Sequence, residues 1–227
     1  MKERINSLVQ LCKEQPFNVE KIQAYILDNK LNSEEITRAA IELCEYGMFA
    51  YDEFRYHNKR EPEPQELETY LWEQLFDILI ENGLDADLVF CDDGINYENI
   101  LQSVQYFDDG DLGARVLRNI LTKGGNPNIL IDNYPFFAEV DSDFIMDIQM
   151  GLYPEKWQVD NVFRFWLVLI GFGGVMKDGK CPVNLCPGNA IEAFKKFEKF
   201  DYKIIYEKND FELEIIDKES NNIVATV

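Results

Sequence analysis

The chain has 227 residues, of which 42 are Asp or Glu and 22 are Lys or Arg, so its formal net charge is −20. Its hydrophobic content of 46% and aromatic content of 13% exclude wholesale disorder. The negative charge disfavours nucleic acid and anionic membranes as ligands, because both would be repelled. It suits a basic partner, although charge can also serve solubility alone.

No membrane or export signal is predicted. The N-terminus lacks an apolar run behind a basic head, so no secretory signal is expected. The most apolar segment, 165–176, is shorter than the roughly 20 residues that span a bilayer. An odd number of scattered cysteines favours reduced, buried thiols and a cytoplasmic protein. These cysteines are Cys12, Cys44, Cys91, Cys181 and Cys186.

Residues 1–60 predict three N-terminal helices. Pro16 ends the first, Asn18 caps the second, and Asn32 with Glu35 forms a capping box that starts the third. Apolar residues recur at helical spacing through all three and predict their buried faces. These residues are Ile5, Leu8, Val9, Leu11, Cys12, Val19, Ile22, Ile26, Leu27, Ile36, Ala39, Ala40, Leu43 and Cys44.

Helices that end at a glycine recur along the chain. After a proline-containing loop at 60–64, apolar residues at helical spacing predict a long helix that ends at Gly83. Similar endings occur at Gly124 and Gly173, and a weak one at Gly47, so the intervals are 36, 41 and 49 residues. Such a unit cannot bury its apolar face alone, whereas stacked copies can, so a helical repeat array is predicted.

The turn sequences resemble those of ankyrin repeats. Gly124-Gly125-Asn126-Pro127-Asn128 is similar to the family's repeat ending, and 132–137 and 178–185 are similar to the start of its inner helix. Asp93-Gly94 opens a third such start, although the Pro is absent there, and 109–116 is similar to the link between the inner and outer helices. The resemblance covers 75–190 well and 18–60 loosely. It departs in period, which exceeds the usual 33 residues, and in the Thr-Pro pair, where Tyr134 and Cys181 replace Thr. A generic helical array is the alternative.

The C-terminal region changes character. A short amphipathic helix is predicted over 189–200, followed by a hairpin of strands 202–206 and 211–216 and a third strand over 223–227. This small meander could cap the last repeat. The predicted fold is therefore mostly α, an ankyrin-like helical repeat stack with a small C-terminal β-hairpin or meander. Its regions are 1–60, which is left open as a degenerate repeat, 61–188 with the repeats, and 189–227 as the cap.

No catalytic residue, metal ligand or cofactor is predicted. His57 stands without a nucleophile motif, and Cys181 with Cys186 lacks a second ligand pair. The Asp108 to Asp111 cluster lacks the spaced ligands of a calcium loop and predicts a solvated turn. The segment from Gly174 to Cys181 has the spacing of a phosphate-binding loop after a run that could be a strand, but Cys181 replaces the magnesium-binding Ser or Thr.

The remaining candidate is a protein-binding surface. The resemblance implies that turns and inner-helix ends form a concave face that binds proteins, and acids beside aromatics suit a basic partner. The predicted partner-binding residues are Asp85, Asp87, Asp92, Asp93, Asn126, Asn128, Asp132, Tyr134 and Phe137. In the alternative interpretation the aromatic residues are core and the acids only solvate the turns.

The predicted function is a non-enzymatic protein-binding scaffold with an acidic recognition face. One concrete form is an immunity or antitoxin-type protein that occludes a basic enzyme such as a nuclease. Two alternatives stay open at this point. One is a nucleotide-binding protein or enzyme that uses the Gly174 to Cys181 loop. The other is a subunit of a larger assembly that pairs through the edge of the C-terminal hairpin.

Overall fold

A computed structural model shows a mostly helical protein with a small three-stranded antiparallel sheet, as predicted at this level. The chain divides into two compact units, Met1–Gly125 and Asn126–Val227. No described helix is long and apolar enough to cross a membrane. The structure describes residues 1–14, 18–58, 69–92, 94, 96–107, 110–136, 156–175, 190–207 and 210–226.

The first unit is built from helices. Its elements are α1 (Lys2–Lys13), α2 (Val19–Asp28), α3 (Ser33–Asn58), α4 (Thr69–Glu81), α5 (Ile100–Ser103), a 3-10 turn (Val104–Tyr106) and α6 (Gly110–Thr122). Helices from both sides of the predicted boundary at residue 60 pack in this unit, since α3 contacts both α1 and α4. The division at Gly125 thus coincides with neither predicted region boundary.

The second unit joins helices to two small sheets. It contains β1 (Leu130–Ile131), β2 (Tyr134–Pro135), α7 (Lys156–Gly171), α8 (Ala190–Phe194), a 3-10 turn (Phe197–Lys199), β3 (Phe200–Glu207), β4 (Asp210–Asp217) and β5 (Ile223–Thr226). The predicted hairpin and third strand are confirmed, with strand order β3-β4-β5 and Tyr202 opposite Ile215. The helix predicted over 189–200 is shorter, because Lys196 leaves helical geometry and Phe200 enters the sheet.

The predicted N-terminal caps are confirmed. The Asn18 side chain accepts the Lys21 N–H at 2.8 Å. Asn32 and Glu35 form the reciprocal capping box: the Glu35 N–H donates to Asn32 Oδ1 at 2.9 Å, and the Asn32 N–H donates to Glu35 Oε2 at 3.1 Å. Burial follows the predicted stripes with one clear exception, since Leu27 is 67% exposed.

Three of the four predicted glycine endings are confirmed. At Gly83, with φ of 106°, the Leu84 N–H donates to Leu79 O at 2.9 Å and the Gly83 N–H donates to Ile80 O at 3.3 Å. This pair of bonds is the Schellman motif, which needs a left-handed residue at the helix end. The same pair ends α6 at Gly124 and α7 at Gly173.

The predicted ending at Gly47 is wrong, because α3 continues through it to Asn58. A glycine inside a helix costs about 1 kcal/mol, which a 26-residue helix can absorb. The nearest proline after Gly47 is Pro62, so nothing local forces the chain to turn at Gly47. A fourth Schellman motif lies instead at Lys30, with φ of 50°, where α2 ends without a glycine.

Helices α4 and α6 lie parallel and in register. Arg115 Nε donates to Glu73 Oε2 at 3.1 Å, and Asn119 Nδ2 donates to Asp77 Oδ1 at 3.0 Å. The partners of each pair are 42 residues apart in sequence. The second pair lies four residues, about one turn, after the first pair in both helices, so the helices run in the same direction. The two helices therefore end side by side, at Gly83 and Gly124.

Candidate binding site

The turn after α4 holds two of the predicted partner-binding acids. Asp85 Oδ1 accepts the Asp87 N–H at 3.0 Å, and the Leu88 N–H donates to Asp85 O at 3.4 Å. An Asp side chain that accepts the N–H two residues later stabilises a turn on its own backbone. The turn that follows Gly83 is thus shaped by Asp85, while Asp87 is exposed.

The turn after α6 repeats this geometry 41 residues later with amides in place of acids. Asn126 Oδ1 accepts the Asn128 N–H at 2.9 Å, and the Ile129 N–H donates to Asn126 O at 3.2 Å. Both ends of the Asn128 side chain bind within the second unit: Nδ2 donates to Gly173 O at 3.1 Å, and Oδ1 accepts the Val175 N–H at 2.6 Å. Those contacts give Asn128 a structural role in holding the end of α7.

A cleft of about 310 Å³ lies where α4 and α6 end, wholly within the first unit. It brings Asp85 and Asp87 together with the last turns of both helices. Lys123 is the cationic side chain in its lining. The residues that line it are Ser33, Ile80, Gly83, Leu84, Asp85, Ala86, Asp87, Ile120, Lys123, Gly124 and Gly125.

Asn99 supports this turn from inside the protein. It is completely buried, and its Nδ2 donates to Ala86 O and Leu88 O, each at 2.8 Å. Its Oδ1 accepts the Leu101 N–H at 2.8 Å and so caps α5. In the sequence, Asn99 directly precedes the apolar start of α5. That position predicts a helix cap but not the two hydrogen bonds to the turn.

Thr37 ties the same turn to α3. Its buried hydroxyl accepts the Asp85 N–H at 2.9 Å and lies 2.7 Å from Ser33 O, to which it donates. The partners Thr37 and Asp85 are 48 residues apart, so no local pattern could pair them. The backbone of Asp85, one of the residues that line the cleft, is therefore held in place by a side chain of α3.

Asp92 belongs to a second arrangement in the first unit. Its carboxylate accepts two hydrogen bonds from the Arg38 guanidinium, at 2.8 and 2.9 Å, and the same guanidinium lies 4.1 Å from the centre of the Phe90 ring. The hydrogen bond to Asp92 is the main reason that the pKa of Arg38 is raised. Asp92 thus anchors the turn segment to α3, and it remains largely exposed.

The other predicted residues are placed as follows. Asp132 and Asn133 both have positive φ, 47° and 67°, and form the two-residue turn between β1 and β2 in the second unit. Asp132 is exposed at that turn. Tyr134 lies in β2, and its side chain, like Asp93 and Phe137, is outside the described residues.

The segment before Gly174 is a helix, whereas the phosphate-loop interpretation needs a strand there. The apolar run before Gly174 is the buried half of α7, and the Gly174 N–H donates to Leu169 O at 2.8 Å to end that helix. A phosphate-binding loop of this type follows a strand. Lys180 and Cys181 lie outside the described residues, as do Cys186 and the Asp108-Asp109 pair.

Within the described part of the chain, no group of three or more His, Cys, Asp or Glu residues is placed to hold a metal ion. His57 lies near the end of α3, and its side chain is not described. Cys12 and Cys44 are buried free thiols, and burial raises the pKa of Cys12 to about 12, so it stays protonated.

Comparison with models of protein families, with curated proteins and with solved structures gave no significant match.

Proposed function

We propose that the chain is a non-enzymatic scaffold of the ankyrin-like type that binds a basic protein through the turns at its helix ends. The observation that carries the proposal is the repeated unit of helix, left-handed glycine, side-chain-stabilised turn and short antiparallel pairing. It occurs after Gly83, where Phe90 pairs with Glu98, and again after Gly124, where β1 pairs with β2.

Repetition of this kind is typical of stacked repeats, in which each unit contacts its neighbours. Parallel packing of α4 and α6 in register supports the same interpretation, because equivalent helices of adjacent repeats run in the same direction. The interval of 41 residues is longer than the usual ankyrin period of 33, so longer connections are part of the proposal.

The partner is proposed to be basic because the net charge is −20 and because the first turn presents carboxylates at the end of its repeat unit. An immunity or antitoxin-type inhibitor of a basic enzyme such as a nuclease is the concrete form of this proposal. The scaffold would then act by covering the enzyme's basic surface and would itself need no catalytic group.

Affinity capture from a lysate of the source organism tests the proposal. The immobilised protein is expected to retain a specific basic protein at low salt and to release it as salt screens the contact. Mass spectrometry identifies the retained protein, and its purified form is then assayed for binding and for inhibition of its activity. A matched column of another strongly acidic protein controls for ion exchange. Equal retention on both columns, or a neutral partner insensitive to salt, would contradict the proposal.

A further inference from the structure

We infer that Asn82-Gly83, at the end of α4, is a latent site of spontaneous deamidation that the folded helix end keeps unreactive. It is the only Asn-Gly sequence in the chain. The backbone nitrogen of the glycine can attack the asparagine side chain in such a pair, because glycine lacks the Cβ that would hinder the approach and its backbone turns freely. This chemistry belongs to the chain itself and does not depend on the proposed partner.

The reaction consumes only water. The Gly83 nitrogen gives up its proton to solvent and attacks Asn82 Cγ, so a carbon–nitrogen bond forms, and the side-chain nitrogen takes up a proton and leaves as ammonia. Water then opens the resulting succinimide ring at one of its carbonyl carbons. Opening at the side-chain carbonyl yields aspartate, and opening at the main-chain carbonyl yields isoaspartate, whose main chain passes through the former side chain.

Both reacting groups are held by hydrogen bonds within α4. The Asn82 side-chain Nδ2 donates to Ile78 O at 2.8 Å, and the Asn82 N–H donates to the same oxygen at 3.0 Å. These bonds hold the side chain against the preceding turn of the helix. The Gly83 N–H donates to Ile80 O at 3.3 Å, so its proton is not free to leave. Attack requires that the bonds of Nδ2 and of the Gly83 N–H break together, and the folded helix end therefore disfavours the reaction.

Opening of this helix end is a local event. Gly83 is exposed, and Asn82 and Leu84 are half-buried. One turn earlier, Phe76 and Leu79 are completely buried. Helix ends with few buried contacts open at a lower free energy than the packed core. The last turn of α4 can therefore release both reacting groups while the rest of the helix stays in place, and the rate of deamidation reports how often it does so.

The products weaken the helix end that protected the site. Aspartate adds a charge at the negative end of the α4 dipole, next to Glu81, which is unfavourable. Isoaspartate lengthens the main chain by one carbon directly before Gly83. The Leu84 N–H then no longer matches Leu79 O, the 2.9 Å bond that completes the Schellman motif. Deamidation at this position is thus an irreversible loosening of the turn that follows α4.

The equivalent end of α6 shows that this ending does not require asparagine. Lys123 precedes Gly124 there, and the Lys123 N–H donates to Asn119 O at 3.2 Å, as the Asn82 N–H does to Ile78 O. A longer side chain is therefore compatible with the position. Asn82→Gln keeps a neutral amide and blocks the chemistry, because the corresponding ring would be six-membered and forms far more slowly.

The test follows deamidation of the purified full chain at mildly alkaline pH, with and without denaturing guanidinium chloride. Aliquots are digested, and chromatography with mass spectrometry quantifies the asparagine, aspartate and isoaspartate forms of the peptide that contains position 82. The denatured wild-type chain is expected to modify this peptide steadily. In the folded chain the reaction is expected to be roughly tenfold to a hundredfold slower, because two hydrogen bonds of ordinary strength must open first.

Two variants separate the chemistry from its protection. Asn82→Gln is expected to stay unmodified under both conditions. Asn99→Ala, which removes the donor to Ala86 O and Leu88 O in the following turn, is expected to speed the reaction in the folded chain and to leave the denatured rate unchanged. Equal wild-type rates with and without denaturant would overturn the protection by the helix end. A denatured wild-type chain that stays unmodified at position 82 would overturn the site itself.

Discussion

Asn99 is the residue on which the first acidic turn depends. Its amide donates to two carbonyls of the turn, and its oxygen caps α5, so one buried side chain connects the turn to the next helix. Buried polar groups that lose their partners cost more than the lost bond, because the remaining groups cannot reach water. The geometry of Asp85 and Asp87 is therefore set partly by a buried residue that lies outside the proposed binding surface.

Asn99→Ala is expected to lower the free energy of unfolding by about 3 kcal/mol, because it removes a helix cap and leaves two carbonyls without their donor. Asn99→Asp is expected to be similarly harmful, since it keeps the cap oxygen but places a carboxylate oxygen opposite Ala86 O and Leu88 O. Urea unfolding measures both. Asn6→Ala, at an exposed position of α1, is the control. A loss for Asn99→Ala no larger than for the control would contradict the assigned role.

At the level of the element, several helices of this protein end in the same way, with a residue in left-handed backbone conformation. Gly83, Gly124 and Gly173 adopt left-handed backbone that permits the two Schellman bonds. Lys30 adopts the same conformation at the end of α2 with a side chain present. Arg4 donates to Asn29 O and Lys30 O there, so a side chain from α1 binds carbonyls at this end.

Lys30→Gly is expected to raise the free energy of unfolding by about 0.5 to 1 kcal/mol, because glycine adopts left-handed backbone without the clash of a Cβ. Thermal and urea unfolding measure the gain. Lys30→Ala keeps the Cβ and so separates backbone strain from loss of the lysine charge; it should leave stability nearly unchanged. A gain of equal size in Lys30→Ala would assign the effect to charge.

At the scale of the whole molecule, charge opposes compactness. With 42 acidic and 22 basic side chains, the folded chain holds a net charge of −20 in a smaller volume than the unfolded chain. Such self-repulsion destabilises a compact state and is weakened by salt. Paired acids, such as Asp92 with Arg38 and Glu73 with Arg115, offset only part of it.

The melting temperature is expected to rise as sodium chloride increases from about 0.01 to 0.1 M, where the screening length falls from about 30 to 10 Å, and then to level off. Calorimetry at constant pH measures this. Sucrose at equal osmolality, which does not screen charge, is the control for a general excluded-solute effect. A melting temperature that stays constant or falls over this range would show that the acids are not mutually destabilising in the folded state.

The sequence by itself determined the features whose cause lies within a few residues. Asn18 and the Asn32–Glu35 box were predictable because a cap bonds to the backbone three residues away. The endings at Gly83, Gly124 and Gly173 and the hairpin were predictable for the same reason, since backbone freedom and alternation act locally.

Only the tertiary structure decided the features that depend on distant partners. The exposure of Leu27 and the division at Gly125 follow from packing that periodicity does not specify. At the candidate site, the acids of the first turn were predictable as turn residues, whereas their support by Thr37, 48 residues away from Asp85, was not. Local pattern reports which groups a segment offers, but the contacts that position those groups form between segments that are remote in sequence.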